Sequence, residues 1–461
     1  SNRASGRLFP DAAVMAAGPQ PFLGVAASAT GRRWCARQLD ERLAAALSQR
    51  LDVPDIIGRV LAARGVGIDE AEHYLHPTLR HILPDPSLLP DMDVAAARLA
   101  RAVREGEKVA IFGDYDVDGA TSAALLWRFL DGLGQRPLVH IPDRQREGYG
   151  PNEAALEQLA AAGARLVITV DCGTTALAPL RHAQAIGLDV IVVDHHLAEP
   201  ELPPAVAIVN ANRVDVPSPV GLRDLAAVGV SFLLAVAVNR MLREAGWYGA
   251  GRAEPDLMNL LDLVALGTVA DVVPLGNLNR ALVAQGLKVA GRRGNVGLAA
   301  LADVAKLTRA PDAYHLGFIL GPRVNAGGRI GASDLGVRLL TTADGDEARR
   351  LAEQLDGLNR DRQGIENEVY VQAMATVSRD GPLALAAGQG WHPGVIGIVA
   401  GRLKENLHRP ALVIAVHGGI GKGSGRSIPG VDMGAAVTAA RQAGLLINGG
   451  GHPMAAGLTV E

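Results

Sequence analysis

Three apolar, β-branched runs each end on acidic or imidazole side chains, and this repeated pattern limits the fold of the 461-residue chain more than any other feature. Residues 108–113 (KVAIFG) lead into Asp114, Asp116 and Asp118. Residues 164–170 (ARLVITV) lead into Asp171, and residues 188–193 (LDVIVV) into Asp194, His195 and His196. A strand with one wet face alternates apolar and polar residues. An unbroken apolar run is instead a strand covered on both faces, as in parallel sheets. Residues 120–133, 152–162 and 175–186 read as helices between these runs, and residues 137–141 and 205–210 as two more strands. The alternation predicts an α/β fold with a parallel sheet. Ligands of such sheets gather beyond the strand C-termini, which is where the carboxylates fall.

The flanking segments predict two further parts, as expected for a chain too long for one core. Residues 39–65 read as helical, with Leu39, Leu43, Leu47 and Leu51 at spacing four. A proline-rich connector over 75–90 precedes an amphipathic helix over 91–106. Residues 223–305 read as mainly helical, and 344–377 as a long charged helix without proline. Beyond Gly381, PLALAA and PALVIAV read as strands around a helix over 395–406. A glycine-rich loop (418–425), a helix (433–443) and a final glycine cluster follow. The expected organisation is a poorly ordered leader (1–38), a catalytic domain with N-terminal helices (39–343), a connecting helix (344–378) and a smaller α/β domain (379–461).

Bulk properties narrow the function only mildly. The formal net charge is −3 and aromatics make up 3% of residues, so a broad basic or aromatic nucleic-acid surface is not indicated and local motifs must decide. Cys35 and Cys172 form neither a disulfide framework nor a CxxC zinc site, which suits a reducing cytoplasm. Pro19 and Pro21 interrupt the mildly apolar residues 12–31, and no cleavage pattern follows. No run reaches the roughly 18 apolar residues expected of a membrane span.

Asp114, Asp116 and Asp118 alternate along the chain, and alternate residues of a strand fraying into a loop face one side. Carboxylates crowded in this way need a cation. The same composition also suits a solvated turn or a helix cap. A calcium loop is excluded, because its twelfth position counted from Asp114 is Leu125 and a strand precedes it. Asp171, with Gly173 and Thr174, equally fits a cap. Asp194-His195-His196 is the stronger signal, since imidazole binds first-row metals well. Asp271 lies in an apolar, helical stretch where an unpaired carboxylate is costly, and a metal is one candidate partner. Basic glycine segments accompany these groups: Arg144 and Arg146 before Tyr149; Arg323, Asn325 and Arg329 in GPRVNAGGR; Lys422, Ser424, Arg426 and Ser427 in GKGSGRS. Glycine lets backbone approach a phosphate, and arginine supplies a two-pronged donor. Each segment alone reads first as an ordinary basic loop. The set as a whole points to divalent-metal hydrolysis of a phosphate ester.

In order and wording these segments resemble the DHH phosphoesterase superfamily, named for the motif seen here as Asp194-His195-His196. The resemblance runs from about residue 74 to the C-terminus. GDYDVDGATSA brings it nearest the bacterial branch of single-strand-specific 5′→3′ exonucleases, rather than the oligoribonuclease or pyrophosphatase branches. GWHPGVIGIVAGRL (390–403) and GGGHPMAAG (449–457) are similar to the associated DHHA1 domain. The resemblance implies a two-metal centre holding Mn²⁺ or Mg²⁺, with the imidazole favouring manganese. Asp116 and Asp118 are its implied ligands, Asp171 its bridge, and His195 and Asp271 complete the second site. Asp114, Asp194 and His196 are implied to orient ligands or meet the scissile phosphate. Arg144, Tyr149, Arg323, Asn325, Arg329, Ser424, Arg426 and His452 would line a DNA groove, with Ser424 and Arg426 opposite Arg144 at a terminal 5′ phosphate. His392 reads as structural or substrate-side. Trp391 and Tyr149 read as aromatic contacts to a base or sugar, with core packing an equal alternative.

The implied activity is removal of mononucleotides from the 5′ end of single-stranded DNA, in repair and recombination. The implied partners are single-strand-binding protein and a RecQ-type helicase, for a monomer that meets no membrane. The rival activity is a DHH phosphodiesterase for short oligonucleotides or cyclic dinucleotides. A non-catalytic scaffold of the same fold is disfavoured by the complete ligand set. Members of the exonuclease branch usually continue into an OB-fold that grips single strands, whereas this sequence stops at Glu461. The expectation therefore covers the catalytic parts and leaves processivity open.

Overall fold

The computed structural model describes residues 21–36, 40–144, 146–378 and 381–461. Most of the expected leader, residues 1–20 and 37–38, lies outside them, as does Leu39. Backbone contacts divide the chain into two compact units, Ser1–Thr78 and Leu79–Glu461.

The first unit holds α1 (Glu41–Leu51), α2 (Asp55–Ala63) and α3 (Ala71–Leu75). The helical stretch expected over 39–65 is two helices. Asp52 turns left-handed at φ 52° to close α1. Val53 precedes a proline, whose ring disfavours the helical conformation there, and Pro54 caps α2. Leu47 and Leu61 meet in the small core between them, with Val66 and Ala71.

The second unit begins with α4 (Leu79–Ile82) and α5 (Met92–Glu105), followed by the expected alternation. It runs β1 (Val109–Gly113), α6 (Val117–Gly132), β2 (Leu138–His140), α7 (Glu153–Ala161), β3 (Leu166–Val170), α8 (Leu177–Ala185), β4 (Asp189–Val193) and β5 (Ala207–Val209). All five strands are parallel, in the order β2-β1-β3-β4-β5. The unbroken apolar runs are explained by their two faces. Ile111, Ile168 and Ile191 point into one core with α5 and α6, while Phe112, Val167 and Val192 point into another with α7 and α8. Burying a side chain such as Phe112 contributes about 1.5–3 kcal/mol, so both faces strongly fix the strand register.

A helical layer follows: α9 (Val220–Arg223), α10 (Ala227–Glu244), α11 (Leu261–Ala270), α12 (Asn277–Gly291), α13 (Val296–Val304), α14 (Gly321–Ile330) and α15 (Leu335–Thr341). α14 corrects the reading of GPRVNAGGR as a loop. The 32-residue α16 (Gly345–Thr376) leads to the smaller sheet, as its proline-free sequence predicts. There β6 (Ala384–Gln389), α17 (Ile396–Leu407), β7 (Ala411–His417), β8 (Ile420–Arg426), α18 (Met433–Gln442), β9 (Asn448–His452) and β10 (Ala455–Val460) form a mixed sheet of order β6-β7-β8-β10-β9. The glycine-rich stretch expected to be a loop over 418–425 is thus mostly strand β8, and the final glycine cluster falls in β9 and β10. Ile414, Leu458 and Met433 occupy the space that side chains at Gly423 and Gly425 would need, so neighbours supply the packing that β8 lacks. Trp391 belongs to this core: it is buried, and its indole N–H donates to Gln372 at 2.7 Å. That settles its alternatives in favour of packing. Among the described residues no helix is long and apolar enough to cross a membrane.

Candidate active site

Strand register assembles the acidic centre. Gly113 pairs with Val170, and Val170 with Val193, so the residue after each of three adjacent strands falls in one row: Asp114, Asp171 and Asp194. Their backbone N–H groups continue the ladder, donating to Val170, Val193 and Val209 in turn. The row lies where the strand order reverses between β1 and β3, the ligand-binding position of such sheets. Asp171 is held left-handed at φ 60°, which is uncommon outside glycine and costs backbone strain.

The other carboxylates arrive differently from the expected frayed strand. α6 begins at Val117, so Asp116 is its N-cap, accepting from the Gly119 N–H at 3.1 Å, and Asp118 lies in its first turn. The alternation of the three aspartates therefore spans a loop and a helix start. A side chain at Gly119 would put its Cβ 2.4 Å from the Asp114 carbonyl oxygen, so only glycine permits this tight entry. Asp118 also accepts from the N–H groups of Ala227 (2.6 Å) and Val228 (2.9 Å), at the start of α10. Asp271 caps the C-terminus of α11. His195 Nε2 sits 3.2 Å from Asp171, 3.7 Å from Asp271 and 3.8 Å from Asp118. Three ligand groupings result: Asp114, Asp116 and Asp171; Asp118, His195 and Asp271; Asp171, His195 and His196.

The electrostatics fit a divalent cation. Burial, then neighbouring carboxylates, push Asp114, Asp118 and Asp171 well above the usual carboxylate range. Burial and Asp116 push Asp271 up to about 7. Asp114 Oδ1 and Asp171 Oδ1 are buried without a hydrogen-bond partner, a costly state that a positive ion would relieve. Burial and the charge of His196 hold His195 down at about 4, leaving a neutral imidazole, the form that ligates metals. His196 behaves oppositely. Despite burial, its 2.8 Å bond to Asp194 Oδ1 raises it to about 9, while Asp194 stays below the usual range in spite of its own burial. Asp194 also accepts from the N–H groups of His195 and Thr174. The Tyr149 hydroxyl donates to the Asp171 carbonyl at 3.0 Å and lies 3.2 Å from His196 Nδ1.

Beside this centre is a cavity of about 380 Å³ lined by Tyr115, Arg144, Arg329, Lys422, Ser424 and the glycines of β9. Arg426 borders it, donating to Ser424 Oγ at 3.1 Å. Among the described residues Arg144, Arg329 and Arg426 make no ion pair, and Arg329 binds only the Gly394 carbonyl. Burial, then Arg144, lower Arg329 to about 10 and lower Arg426 as well. Uncompensated arginines facing one cavity make an anion site. Tyr115 joins the two regions: it lies between Asp114 and Asp116, its ring is 5.1 Å from the Arg144 guanidinium, and it lines the cavity.

The sequence-predicted residues thus divide. Asp114, Asp116, Asp118, Asp171, Asp194, His195, His196, Asp271 and Tyr149 converge on the acidic centre, and Arg144, Arg329, Ser424 and Arg426 on the anion cavity. Arg323 is instead tied to Asp356 (2.9 Å) and the Ile319 carbonyl. Asn325 is half-buried on α14, Ser427 donates to the Val431 carbonyl, and His452 is exposed on β9, outside the residues lining the cavity. His392 Nδ1 accepts from the Gly394 N–H, within its own turn. Reasoning from sequence passed over Tyr115, Asn210 and Asn212. The two asparagine amides hold the carbonyls of His196 and His195 at 2.8 and 2.7 Å. Their signal was present, for Asn210 ends β5 as the aspartates end β1, β3 and β4.

The family model for the N-terminal domain of the DHH family matches residues 108–268, and that for the DHHA1 domain matches residues 380–461. The single-stranded-DNA-specific exonuclease RecJ of Dickeya dadantii is 43% identical over 422 residues, which span 88% of this chain and 72% of the relative. The chain belongs to the RecJ family. The RecJ of Escherichia coli is 41% identical over 425 residues, spanning 89% of this chain and 72% of the relative. A crystal structure of exonuclease RecJ bound to manganese matches with a TM-score of 0.69 at 36% identity, over 81% of this chain and 91% of that one. RecJ of Thermus thermophilus in complex with Mn²⁺ matches with a TM-score of 0.77 at 32% identity, over 92% of this chain and 59% of that one.

Proposed function

We propose that this chain removes 5′-mononucleotides from single-stranded DNA by metal-dependent phosphodiester hydrolysis. The observation that carries the reading is the sharing of Tyr115 between a buried acidic centre and a cavity of unpaired arginines. A strand whose terminal phosphate occupies the cavity presents its next phosphodiester to the carboxylates, so the product is one nucleotide long.

Asp116, Asp118, Asp171, His195 and Asp271 would hold two divalent cations, Mn²⁺ or Mg²⁺, with Asp171 shared. When bound, such a pair supplies Lewis acidity at the attacking and leaving oxygens of an in-line displacement. The chain's own groups do the rest. Asp194 locks the His196 imidazole and the turn that carries His195. Protonated His196 and Tyr149 face the scissile phosphate, and Asp114 completes the acidic wall. Arg144, Ser424 and Arg426 grip the terminal 5′ phosphate, with Arg329 behind them. Arg323 positions α14 through Asp356, while Asn325 and His452 contact the strand farther out. In this reading residues 39–343 form the catalytic domain with its N-terminal helices, 344–378 the connecting helix and 379–461 the phosphate-gripping domain. The enzyme acts as a cytoplasmic monomer in repair and recombination, alongside single-strand-binding protein and a RecQ-type helicase.

Product analysis on a 5′-phosphorylated, 5′-labelled single strand with Mn²⁺ tests this. The label should leave as mononucleotide while duplex of the same sequence persists. Cleavage of dinucleotides or cyclic dinucleotides with the long strand left intact would replace the exonuclease by the short-substrate phosphodiesterase.

A further inference from the structure

Strand β8 alternates glycine with polar side chains, and the alternation sorts them by face. Gly421, Gly423 and Gly425 turn toward Ile414, Leu458 and Met433, so Lys422, Ser424 and Arg426 share the opposite face. Neighbours on that face stand roughly 6.6 Å apart along the strand. Ser424 and Arg426 belong to the anion cavity, and the start of α17 closes over them. A Cβ at Gly397 would lie 2.9 Å from Arg426 Nη2 and 3.0 Å from Ser424 Oγ. Lys422 is the next step along the same face, away from Arg426. It is exposed, and among the described residues its ammonium makes no hydrogen bond or ion pair.

Lys422 also lines a second cavity, of about 360 Å³, with His392, Pro393, Ala415, His417 and Ile420. Pro393 and Lys422 line both cavities, so the second opens directly beside the first. Hydrogen bonds hold both imidazoles in place. His417 Nε2–H donates to the Trp391 carbonyl at 2.8 Å, and His392 Nδ1 accepts from the Gly394 N–H at 3.0 Å. Burial, then the charges of His417 and Arg144, keep His392 below the usual imidazole range, so its ring stands within electrostatic reach of both cavities. Among the described residues no carboxylate lines either one. A terminal monophosphate accounts for Arg144, Ser424 and Arg426, but not for Lys422 or for the second cavity.

We infer that the second cavity receives the outer phosphates of a 5′-triphosphate end, with Lys422 as their cationic partner, so that strands with this end are substrates too. The inference rests on the exonuclease reading and widens the range of 5′ ends it accepts. With the innermost phosphate on Ser424 and Arg426, two further phosphates reach about as far as Lys422. An ammonium on a flexible stem suits this position, as it can follow a phosphate chain that bends. The reaction itself is unchanged. Water gives its hydroxyl to the phosphorus of the second nucleotide and its proton to the 3′ oxygen of the first, and the bond between them breaks. The first nucleotide leaves as a nucleoside 5′-triphosphate with a 3′-hydroxyl, and the shortened strand keeps a 5′-monophosphate. No bond within the triphosphate is cut.

The test is steady-state kinetics with Mn²⁺ on single strands of one sequence ending in a 5′-monophosphate or a 5′-triphosphate, with the first product identified by mass spectrometry. Wild type, Lys422→Ala and His417→Ala are compared. Wild type should degrade both strands at comparable kcat/KM and release nucleoside triphosphate first from the triphosphate strand. Lys422→Ala should lower kcat/KM about tenfold more on the triphosphate strand than on the monophosphate strand, from the charge-assisted bond lost. His417→Ala should match wild type on the monophosphate strand and fall below it on the triphosphate strand. Resistance of the triphosphate strand to wild type overturns the inference and leaves the exonuclease reading standing. Equal losses on both strands in Lys422→Ala overturn it too, as does release of orthophosphate or pyrophosphate before any nucleotide. Failure of wild type on the monophosphate strand sinks the exonuclease reading itself, and the inference with it.

Discussion

At the ends of β1, β3 and β4, carboxylates are crowded out of water on rigid parallel strands with more negative charge than the protein balances. Across Tyr115, arginines from the loop after β2 and from α14, with Arg426 of β8 bonded to Ser424 at the border, hold an excess of positive charge around a cavity walled partly by glycine. The two regions solve the problem of like charges in opposite ways. Carboxylates can take up protons, so the acidic centre can lower its own repulsion when no metal is present. Guanidinium groups stay charged in nearly all circumstances, so the basic cavity is left with solvent or an anion. The acidic centre should therefore respond to pH and metal, and the basic cavity to the end group of the substrate.

The largest effect belongs to the acidic centre. Asp171→Ala should abolish hydrolysis, far beyond the roughly 10–100-fold loss typical of an outer-shell partner, with far-UV circular dichroism and unfolding temperature near wild type. Full activity of that variant with Mn²⁺ would break the metal assignment. Next comes Arg426→Ala. Losing charge-assisted bonds of about 1.5–3 kcal/mol should cost roughly ten- to hundredfold in kcat/KM on 5′-phosphorylated ends. It should cost little on 5′-hydroxyl ends, and an equal loss on both would move the terminal phosphate elsewhere. The smallest effect is on stability. Asp271, at about 7 in the fold against an ordinary 3.8, favours folding fully below 3.8 and loses that contribution as pH rises through 7. His196, raised to about 9 from 6.5, acts in the same direction at higher pH. After EDTA treatment the unfolding temperature should fall as pH rises from 4 to 9, and Mn²⁺ at pH 8 should restore it. A flat profile after metal removal would show that the carboxylates are not under strain.

The acidic centre was largely legible in the sequence because its chemistry sits at fixed points of a repeated element. A strand buried on both faces has a readable end, and the first polar residue after it lands in the site. The exceptions were local. Asp118 reads as part of an alternating strand end, yet it belongs to a helix that starts three residues earlier than its apolar pattern suggests. The basic side was legible in residue type but not in backbone. Glycines in GPRVNAGGR lower helix propensity, and the same glycines let α14 approach Tyr115 and Ala270, so packing overrides the local preference. GKGSGRS became a strand because β7 and β10 flank it on both sides. No local signal separated Arg323, engaged by a carboxylate 33 residues away, from Arg329, which faces the cavity.

The row of Asp114, Asp171 and Asp194 has a consequence for how such a chain can change. Side chains along a strand alternate between faces, so adding or deleting one residue within β1, β3 or β4 would turn its terminal carboxylate away from the other two. The same slip would exchange the residues facing the two cores. Loop lengths elsewhere are free to drift, and a substitution within a strand costs one contact. A one-residue change of strand length costs the fold and the chemistry together, so in these three strands length is a stricter specification than sequence.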